Sequence, residues 1–400
     1  TEHASGRRAT PSAMSEGTAT GPSLGARDVK LDALRGFNLL GIAIVNAPWI
    51  GLNPALPELL WNDARRAALP LQDLLSAGLV EGFFEGKFYP QFAMLFGLGT
   101  AKLIARDRAA YARRIAVLFG FGVLHSLLGW WGDILLNYAL LGVILFGLNT
   151  LPPRAILASA LLLLAGTTAL SISVDTWMAP SAEPSAEELA EQASYLAHNL
   201  SIYRDGSFLE VSWHRYEELL TFFGPYNWTY RLNTVVMGAF GLWLERSGSL
   251  KQLMSSPRHG LIAMLLLATG LVLSASLVLY VGHYILASNV LALGYGAAFL
   301  WLMRRDSLPW LRTFCAGIGQ MAITAYLLQP LVFTLVFYGY GLGLYGSVGP
   351  AFALALATLL WCAEALFCHL WMRRFQLGPV EWLWRSLTYG RALPLRRTRF

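Results

Sequence analysis

Long apolar runs recur along most of this 400-residue chain, and few of them contain a charged residue. A run of about 20 apolar residues is long enough to cross about 30 Å of hydrocarbon as an α-helix. Inside a bilayer the backbone must satisfy its own hydrogen bonds, which leaves helices or closed barrels. The runs lack the alternation of barrel strands. The pattern therefore predicts an all-α, polytopic transmembrane bundle of about ten helices.

The second apolar segment is too long for one straight crossing and is interrupted by Gly82, Gly86 and Pro90. We expect an interfacial or re-entrant piece up to Gly86, and then a spanning helix from Phe88, because proline is tolerated in a first helical turn. The predicted segments are 33–50, 72–104, 109–128, 131–149, 154–173, 228–245, 259–280, 283–303, 313–337 and 350–372.

Composition supports this interpretation. Apolar residues make up 56% of the chain, charged residues 14%, and the mean hydropathy is +0.49. A soluble protein carries roughly a quarter of charged residues, so a soluble enzyme is excluded. The three cysteines lie in or near apolar segments without CxxC spacing, which predicts neither a disulfide nor a metal site.

The distribution of Lys and Arg predicts the orientation, because cytoplasmic loops of membrane proteins are enriched in both. With both termini in the cytoplasm, 24 of the 30 basic residues fall on the cytoplasmic side and five on the outer side, while Lys87 lies within a segment. The basic pI is therefore a signal of topology, and nucleic-acid binding is not expected.

Outside the apolar segments, two regions stand out. The first 28 residues are rich in Ser, Gly, Thr and Ala and predict a disordered cytoplasmic tail without the apolar core of a signal peptide. The connection 174–227 is acidic and contains two amphipathic stretches, near 185–200 and 207–223; either a lid or helices resting on the membrane would explain it. The predicted division is 1–28 (tail), 29–173 (first helix group), 174–227 (outer insertion), 228–375 (second helix group) and 376–400 (interfacial segment).

Polar groups inside membrane helices are costly, so each is a candidate for function. In the first helix Asn46 follows Arg35 by eleven residues, which places both on one face about 16 Å apart. Arg35 is also explained as a snorkelling cytoplasmic anchor, and Asn46 as a hydrogen-bond partner of a neighbouring helix.

The strongest pair is His125, near the outer end of the third long helix, and Asp133, at the start of the next. Only a turn rich in Gly and Trp separates them, so the carboxylate could orient the imidazole for proton transfer. Asp133 and Asn137 are expected on one face of that next helix, at i and i+4. The alternative is a purely structural histidine.

Four further motifs accompany this pair. Glu85 and Lys87 are expected at the outer face within reach of Asn46, either in the site or as an interfacial salt bridge. Gln329, near mid-membrane, is explained by helix packing or by a cavity lining. Taken together, the motifs of this chain resemble the YeiB-like family of polytopic bacterial membrane proteins. The motifs are Leu31-Asp-Ala-Leu-Arg35-Gly, Glu85-Gly-Lys87-Phe, His125 followed by Gly132-Asp133-Ile-Leu and Tyr138, Tyr326-Leu-Leu-Gln329 and Gly378-Pro-Val-Glu-Trp-Leu-Trp-Arg385.

This resemblance covers residues 30–390 in order and implies a bacterial inner membrane location. At two positions the chain departs from the family pattern: Ala325 stands where Asn is expected before Tyr326, and Pro330 stands where Ser is expected after Gln329. If the expected Asn binds substrate, either the acceptor of this protein differs or its activity is weak.

More distantly, the family resembles the transmembrane acyltransferase superfamily, whose first helix has Arg or Lys, ten residues, and then His or Asn. The implied activity moves an acyl group from cytoplasmic acyl-CoA, with acetyl-CoA as the expected donor, to an acceptor outside, such as a glycan or a small molecule. No metal is expected, and a homo-oligomer is compatible with the sequence.

The resemblance also implies roles for individual residues. Arg35 would bind the donor phosphates, and His125 with Asp133 would be the base, with Glu85 as the next candidate. Asn46 or Lys87 would stabilise the oxyanion, and the side chains expected to line the substrate are Tyr138, Tyr326 and Gln329. A transporter or flippase using the same buried groups is the alternative, although its inverted repeats are missing. A structural membrane partner is a third hypothesis.

Overall fold

The computed structural model describes residues 28–52, 69–178, 185–224, 227–278, 284–304 and 308–397. The predicted disordered tail, apart from Asp28, lies outside these residues. Over the described part of the chain the regular structure is helical, and Phe375 and Arg396 form an isolated antiparallel bridge. The all-α prediction is confirmed.

The helices follow the predicted segments closely. In the first half of the chain they are α1 (Val29–Gly51), α2 (Leu71–Phe83), α3 (Phe88–Arg106), α4 (Arg108–Leu128), α5 (Leu135–Leu148), α6 (Pro153–Met178), α7 (Ala186–Asp205) and α8 (Phe208–Phe222). In the second half they are α9 (Trp228–Ser247), α10 (Ser249–Ser255), α11 (His259–Val278), α12 (Tyr284–Arg304), α13 (Pro309–Gln320), α14 (Ala322–Phe337), α15 (Pro350–Arg374) and α16 (Pro379–Tyr389).

Local capping explains where several helices begin. The Asp28 side chain accepts hydrogen bonds from the backbone N–H groups of the first turn of α1, and Asp107 does the same for α4. Ser185 and Ser207 each form a reciprocal capping box with the glutamate three residues later. Each cap satisfies backbone donors that have no partner within the helix. The two amphipathic stretches predicted in the insertion are therefore well-defined helices, α7 and α8.

Six helices of the described chain are long and apolar enough to cross a membrane, namely α1, α4, α6, α11, α12 and α15. The pair α13 and α14 would add a seventh span if counted as one, although the two helices are bent by 82°. These helices indicate a multi-pass membrane protein. The expected ten spans are not confirmed, because α5 is short and because α3 and α9 are not apolar enough to count among the spanning helices.

The lower apolarity of α3 follows from its position inside the bundle. It packs against α1, α4, α5, α9 and α12, and its buried positions include the polar side chains Gln91 and Thr100. The Gln91 amide donates to the Ala292 carbonyl at 2.5 Å. A helix surrounded by other helices does not face lipid on all sides, so it can hold polar groups that find partners within the protein.

The structure confirms one predicted break and adds another. The long segment 72–104 divides into α2 and α3 at Gly86, whose positive φ of 76° favours glycine and whose missing side chain leaves room for Tyr284. The segment 313–337 was expected as one helix, and this prediction is wrong: the chain turns at Met321, between α13 and α14. The segment 131–149 becomes helical only at Leu135.

Close backbone approaches hold the central helices together. A side chain on Gly97 of α3 would place its Cβ 2.0 Å from the carbonyl oxygen of Gly238 in α9, and one on Gly241 would reach the Met94 carbonyl at 2.0 Å. Gly36 and Gly319 have the same role between α1 and α13. A Cβ on Gly36 would lie 1.9 Å from a backbone carbonyl oxygen of α13, and one on Gly319 would lie 1.8 Å from a carbonyl oxygen of α1. In a membrane the hydrophobic effect does not drive helices together, so close packing at small residues stabilises their association.

Replacing Gly97 by Ala should destabilise the bundle, because backbone atoms of α9 cannot move away as a flexible side chain could. We expect the free energy of unfolding to fall by about 1–3 kcal/mol, the usual cost of overpacking. Gly99→Ala on the same helix is the matched control, because a Cβ there meets no atom within 4 Å. Thermal unfolding of both variants in detergent measures the difference, and equal melting temperatures would contradict the tight α3–α9 contact.

Candidate functional site

His125 and Asp133 lie together at one end of the bundle, which we call the dyad end. Helix α4 ends at Leu128, and the N–H groups of Gly129 and Trp130 both donate to the His125 carbonyl, which turns the chain back towards α5. The turn brings the His125 Nδ1 atom to 2.8 Å from Asp133 Oδ1. Both side chains are buried. The predicted pairing of these two residues is therefore observed.

Asp133 lies in the turn before α5, so its expected place within a helix is wrong. From the turn its carboxylate caps the helix, since Oδ2 accepts the Leu136 N–H at 2.7 Å. Its Oδ1 atom accepts the Tyr326 hydroxyl of α14 at 3.2 Å, and that hydroxyl in turn accepts the Ile134 N–H at 3.0 Å. The carboxylate thus has several donors, as a buried charge requires.

The second ring nitrogen of His125 is available for chemistry. An Asp133 oxygen beside Nδ1 favours the tautomer with its proton on Nδ1, so that Nε2 carries the lone pair. Nε2 is buried and has no hydrogen-bond partner in the described structure. It faces Gly129, where a Cβ would lie 2.9 Å from it. This arrangement gives a base whose orientation is fixed by Asp133.

Arg231 of α9 extends this centre, and sequence reasoning missed it. The Asn137 amide donates to the Asp133 carbonyl at 3.2 Å, and Arg231 Nε donates to Asn137 Oδ1 at 3.3 Å. Arg231 also donates to the Phe222 carbonyl at the end of α8, at 2.7 Å. A cation on a helix 94 residues further along the chain thus lies one side chain away from the dyad.

Tyr138 and Tyr326, two of the three side chains expected to line the substrate, are buried near the dyad. The Tyr138 hydroxyl donates to the Tyr89 carbonyl at 2.9 Å. The Tyr89 hydroxyl accepts the Asn233 amide at 3.1 Å, and Asn233 exchanges hydrogen bonds with Asn289 of α12. This polar layer joins α3, α5, α9 and α12, so packing accounts for Tyr138 as well as substrate contact does.

Gln329, the third of these side chains, belongs to another polar pair. Its amide donates to Glu364 Oε2 of α15 at 2.9 Å and approaches the Leu39 carbonyl of α1 at 3.4 Å. Both side chains are buried, and Gln329 Oε1 and Glu364 Oε1 have no partner in the described structure. Gln329 is thus separate from the His125–Asp133 contacts, and Glu364 is a buried carboxyl group without a cationic partner among the described residues.

The remaining predicted residues of this end occupy the α2–α3 turn and α1. The Lys87 ammonium group donates to the Glu81 carbonyl at 3.0 Å and lies over the Tyr284 ring. Within the described chain no ion pair joins Glu85 to Lys87, so the expected salt bridge is not formed. Asn46 is buried, and its amide nitrogen has no partner among the residues that the structure describes. Their catalytic roles stay predictions.

Arg35 lies at the opposite end of the bundle, where α1 and α4 begin and which we call the basic end. Its Nη1 atom contacts Asp32 Oδ1 at 2.5 Å. The Arg114 guanidinium stacks on the Trp384 ring of α16 at 3.5 Å, and the charges of Arg35 and Arg385 both act on it. Clustered guanidinium groups are suited to phosphate. No group of three potential metal ligands occurs among the described residues.

Helices α7 and α8 cover the dyad end. Arg215 of α8 is fully buried and donates to the Leu128 carbonyl at 2.9 Å and to the Tyr340 hydroxyl at 2.7 Å. The Gly339 N–H donates to the Tyr203 carbonyl of α7 at 2.8 Å. Leu128 is the last residue of α4, so Arg215 holds the helix end from which His125 projects. The predicted lid is consistent with this contact, and sequence reasoning missed Arg215.

A partly buried carboxyl group lies between these two helices. Glu218 accepts a hydrogen bond from the Tyr203 hydroxyl. Burial raises the pKa of Glu218 to about 7, while hydrogen bonds from Tyr203 and Trp131 and the charge of Arg215 act in the opposite direction. Trp131 belongs to the turn between His125 and Asp133. Helices α7 and α8, which we call the cover, are therefore joined by Glu218 as well as by Arg215 to the turn between His125 and Asp133, which we call the dyad turn.

Known proteins resemble this chain along most of its length. The family described as "Protein of unknown function (DUF418)" matches residues 244–391. The uncharacterized protein YxaH of Bacillus subtilis is 29% identical, with 90% of this chain and 93% of that protein covered. The uncharacterized protein YeiB of Escherichia coli is 30% identical, with 92% and 98% covered. No solved structure matches. The chain therefore belongs to the YeiB-like family of DUF418 proteins.

Proposed function

We propose that this protein is an integral membrane acyltransferase that moves an acyl group, with acetyl as the expected one, from acyl-CoA to an acceptor hydroxyl or amine. The observation that carries the proposal is the buried dyad, in which Asp133 fixes the His125 ring and Nε2 has no partner within the described structure. A buried, oriented imidazole with one available nitrogen is the arrangement that general base catalysis needs.

The dyad would handle one proton in a direct transfer. His125 Nε2 accepts the proton of the acceptor O–H or N–H while that oxygen or nitrogen attacks the thioester carbonyl. The tetrahedral intermediate then collapses, the C–S bond breaks, and the imidazolium returns the proton to the CoA thiolate. Asp133 stabilises the imidazolium between these steps. The buried Asn46 amide and the Lys87 ammonium group remain the proposed oxyanion donors.

The donor would enter from the basic end. Arg114 and His125 are eleven residues apart on α4, so they lie near one face and roughly 16 Å apart along the axis. The charges of Arg35 and Arg385 both act on the Arg114 guanidinium. In our proposal these arginines bind the phosphates of acyl-CoA, and the thioester extends along α4 to the dyad.

We further propose ten spans with both termini in the cytoplasm of a bacterium, in its inner membrane. In addition to the six apolar helices, α3, α5 and α9 would each cross, and α13 with α14 would form one broken span. Polar contacts inside the bundle, such as the Gln91 amide on the Ala292 carbonyl, explain why α3 is less apolar. Under this topology the basic end faces the cytoplasm and the dyad end faces outward.

A transporter is the second candidate, and Glu364 favours it. This carboxyl group is buried in the bundle and has only Gln329 as a side-chain partner in the described structure. Ionisable groups in this position are typical of proton or ion pathways. Acyl transfer is preferred because a transport path gives no reason for the His125–Asp133 dyad to leave one ring nitrogen unpartnered.

Reporter fusions test the topology. A fusion after Arg258 should report the cytoplasm, and a fusion near Glu187 should report the outer side, because basic residues are concentrated in cytoplasmic loops. Alkaline phosphatase and a cytoplasmic fluorescent reporter measure the two locations independently. An outer location for Arg258 would exchange the donor and acceptor sides and contradict the proposed direction of transfer.

Substitution of the dyad tests the chemistry. With purified protein, labelled acetyl-CoA and a panel of glycan and small-molecule acceptors, His125→Ala should reduce transfer by about 10²–10⁴-fold, the usual contribution of a general base. Asp133→Asn should lose less, and the double variant should be no worse than His125→Ala, since the two residues act as one unit.

His369→Ala is the matched control for the dyad variants. His369 lies on α15, where its ring contacts Arg373 away from the dyad, so transfer by this variant should be unchanged. Near-normal transfer by His125→Ala would exclude it as the base. Absence of transfer to every acceptor by the wild type, with flux altered by Glu364→Gln, would support the transporter instead.

The space beside Gly129 offers an independent test. An alanine methyl group there would lie 2.7 Å from His125 Cδ2 and 2.9 Å from Nε2, so Gly129→Ala should obstruct Nε2 and reduce transfer at least about tenfold, or ~1.4 kcal/mol in the barrier. Gly120→Ala on α4 is the control, because a Cβ there meets nothing within 4 Å among the described residues. Equal rates for the two variants would show that acceptors do not approach Nε2.

A further inference from the structure

A cavity with several charged lining residues lies at the basic end, away from the dyad. Its volume is about 340 Å³. It is formed where the start of α1, helix α10, the start of α11 and the end of α12 meet. The side chains that line it are Asp28, Lys30, Lys251, Met254, Ser255, His259, Leu300 and Arg304.

The charge of this cavity is strongly positive. Lys30, Lys251 and Arg304 contribute three cationic groups, and Asp28 is the acid among the described lining residues. The Asp28 carboxylate is already used, because its Oδ1 accepts the N–H groups of Lys30 and Leu31 at 3.0 and 3.4 Å. Lys30 is partly exposed and the other two are exposed, and an anion among the three would lower their mutual repulsion.

His259 adds a buried polar group to the same wall. Its side chain is fully buried, and Nε2 contacts the Ala297 carbonyl at 3.0 Å. The other ring nitrogen, Nδ1, has no partner in the described structure. His259 is also the first residue of α11, whose N-terminal N–H groups and dipole favour an anion. Since Nε2 donates its proton to the carbonyl, the neutral ring presents Nδ1 as an acceptor, and the groups of this wall that point to an anionic ligand are the lysine and arginine cations.

We propose that this cavity binds a phosphate group. Phosphate supplies the negative charge and several acceptor oxygens, which the Arg304 guanidinium and the two lysine ammonium groups can contact together. Met254 and Leu300 provide apolar walls beside the charges, which suits a phosphate attached to an organic group. Two sources share this chemistry: the headgroup of an anionic phospholipid and the phosphates of a nucleotide such as CoA. The proposal does not depend on acyl transfer.

Binding by the purified full-length chain in phosphatidylcholine nanodiscs tests the proposal. One arm uses CoA and measures affinity by microscale thermophoresis. The other uses phosphatidylglycerol and measures retained lipid by native mass spectrometry. Lys251→Glu should weaken binding of at least one probe about tenfold, or ~1.4 kcal/mol, because it reverses an exposed charge that lines the cavity. Transfer activity is not needed for either readout.

Arg258→Glu is the matched control. Arg258 is exposed in the connection between α10 and α11, seven positions after Lys251, but it does not line the cavity. This variant should therefore keep wild-type affinity. Loss restricted to CoA would identify a nucleotide site, and loss restricted to phosphatidylglycerol would identify a lipid site. Equal losses for both variants would show general charge attraction and overturn the proposal. Affinities for both probes that Lys251→Glu leaves unchanged would also overturn the proposal.

Discussion

The buried Asp133 carboxylate is the constraint on which the dyad end depends. A charge removed from water must be compensated by donors within the protein, and here the donors come from separate elements: His125 of α4, the Leu136 N–H of α5 and the Tyr326 hydroxyl of α14. Satisfying one side chain therefore fixes the relative positions of three helices. The same contacts determine which His125 nitrogen is left available, so the packing of the bundle and the chemistry of the ring have one cause.

The cover formed by α7 and α8 is attached to this centre at backbone as well as side-chain atoms. Arg215 donates to the carbonyl of Leu128, where α4 has no further helical donor to offer, and Arg231 joins the end of α8 to Asn137. A guanidinium group buried in this way is costly unless its donors are used. The cover is thus held by the same groups that shape the dyad turn, and its displacement would alter the surroundings of His125.

Much of the fold followed from the sequence, because apolar periodicity and length are local properties. The break at Gly86 and the His125–Asp133 pair were also predictable, since eight residues separate the pair and a turn must join their helices. The turn at Met321 was not, because an apolar segment looks continuous wherever tertiary packing interrupts it. Arg215 and Arg231 were missed for a similar reason: their partners lie 87 and 94 residues away. The contact of Lys87 with the Glu81 carbonyl shows that nearby opposite charges in a sequence need not pair.

Helix α4 gives the two ends of the bundle a common frame. Arg114, stacked on Trp384, lies in its second turn, and His125 lies in its last. A substrate with phosphates at one end and a reactive group at the other could be held at both ends by this one helix. A transported solute would need the opposite property, namely an occluded site that opens to each side in turn. The rigid attachment of Asp133 to three helices argues against such movement at the dyad end. If transport occurs, it would have to pass through the separate Gln329–Glu364 pair, where two side-chain oxygens have no partner within the described structure.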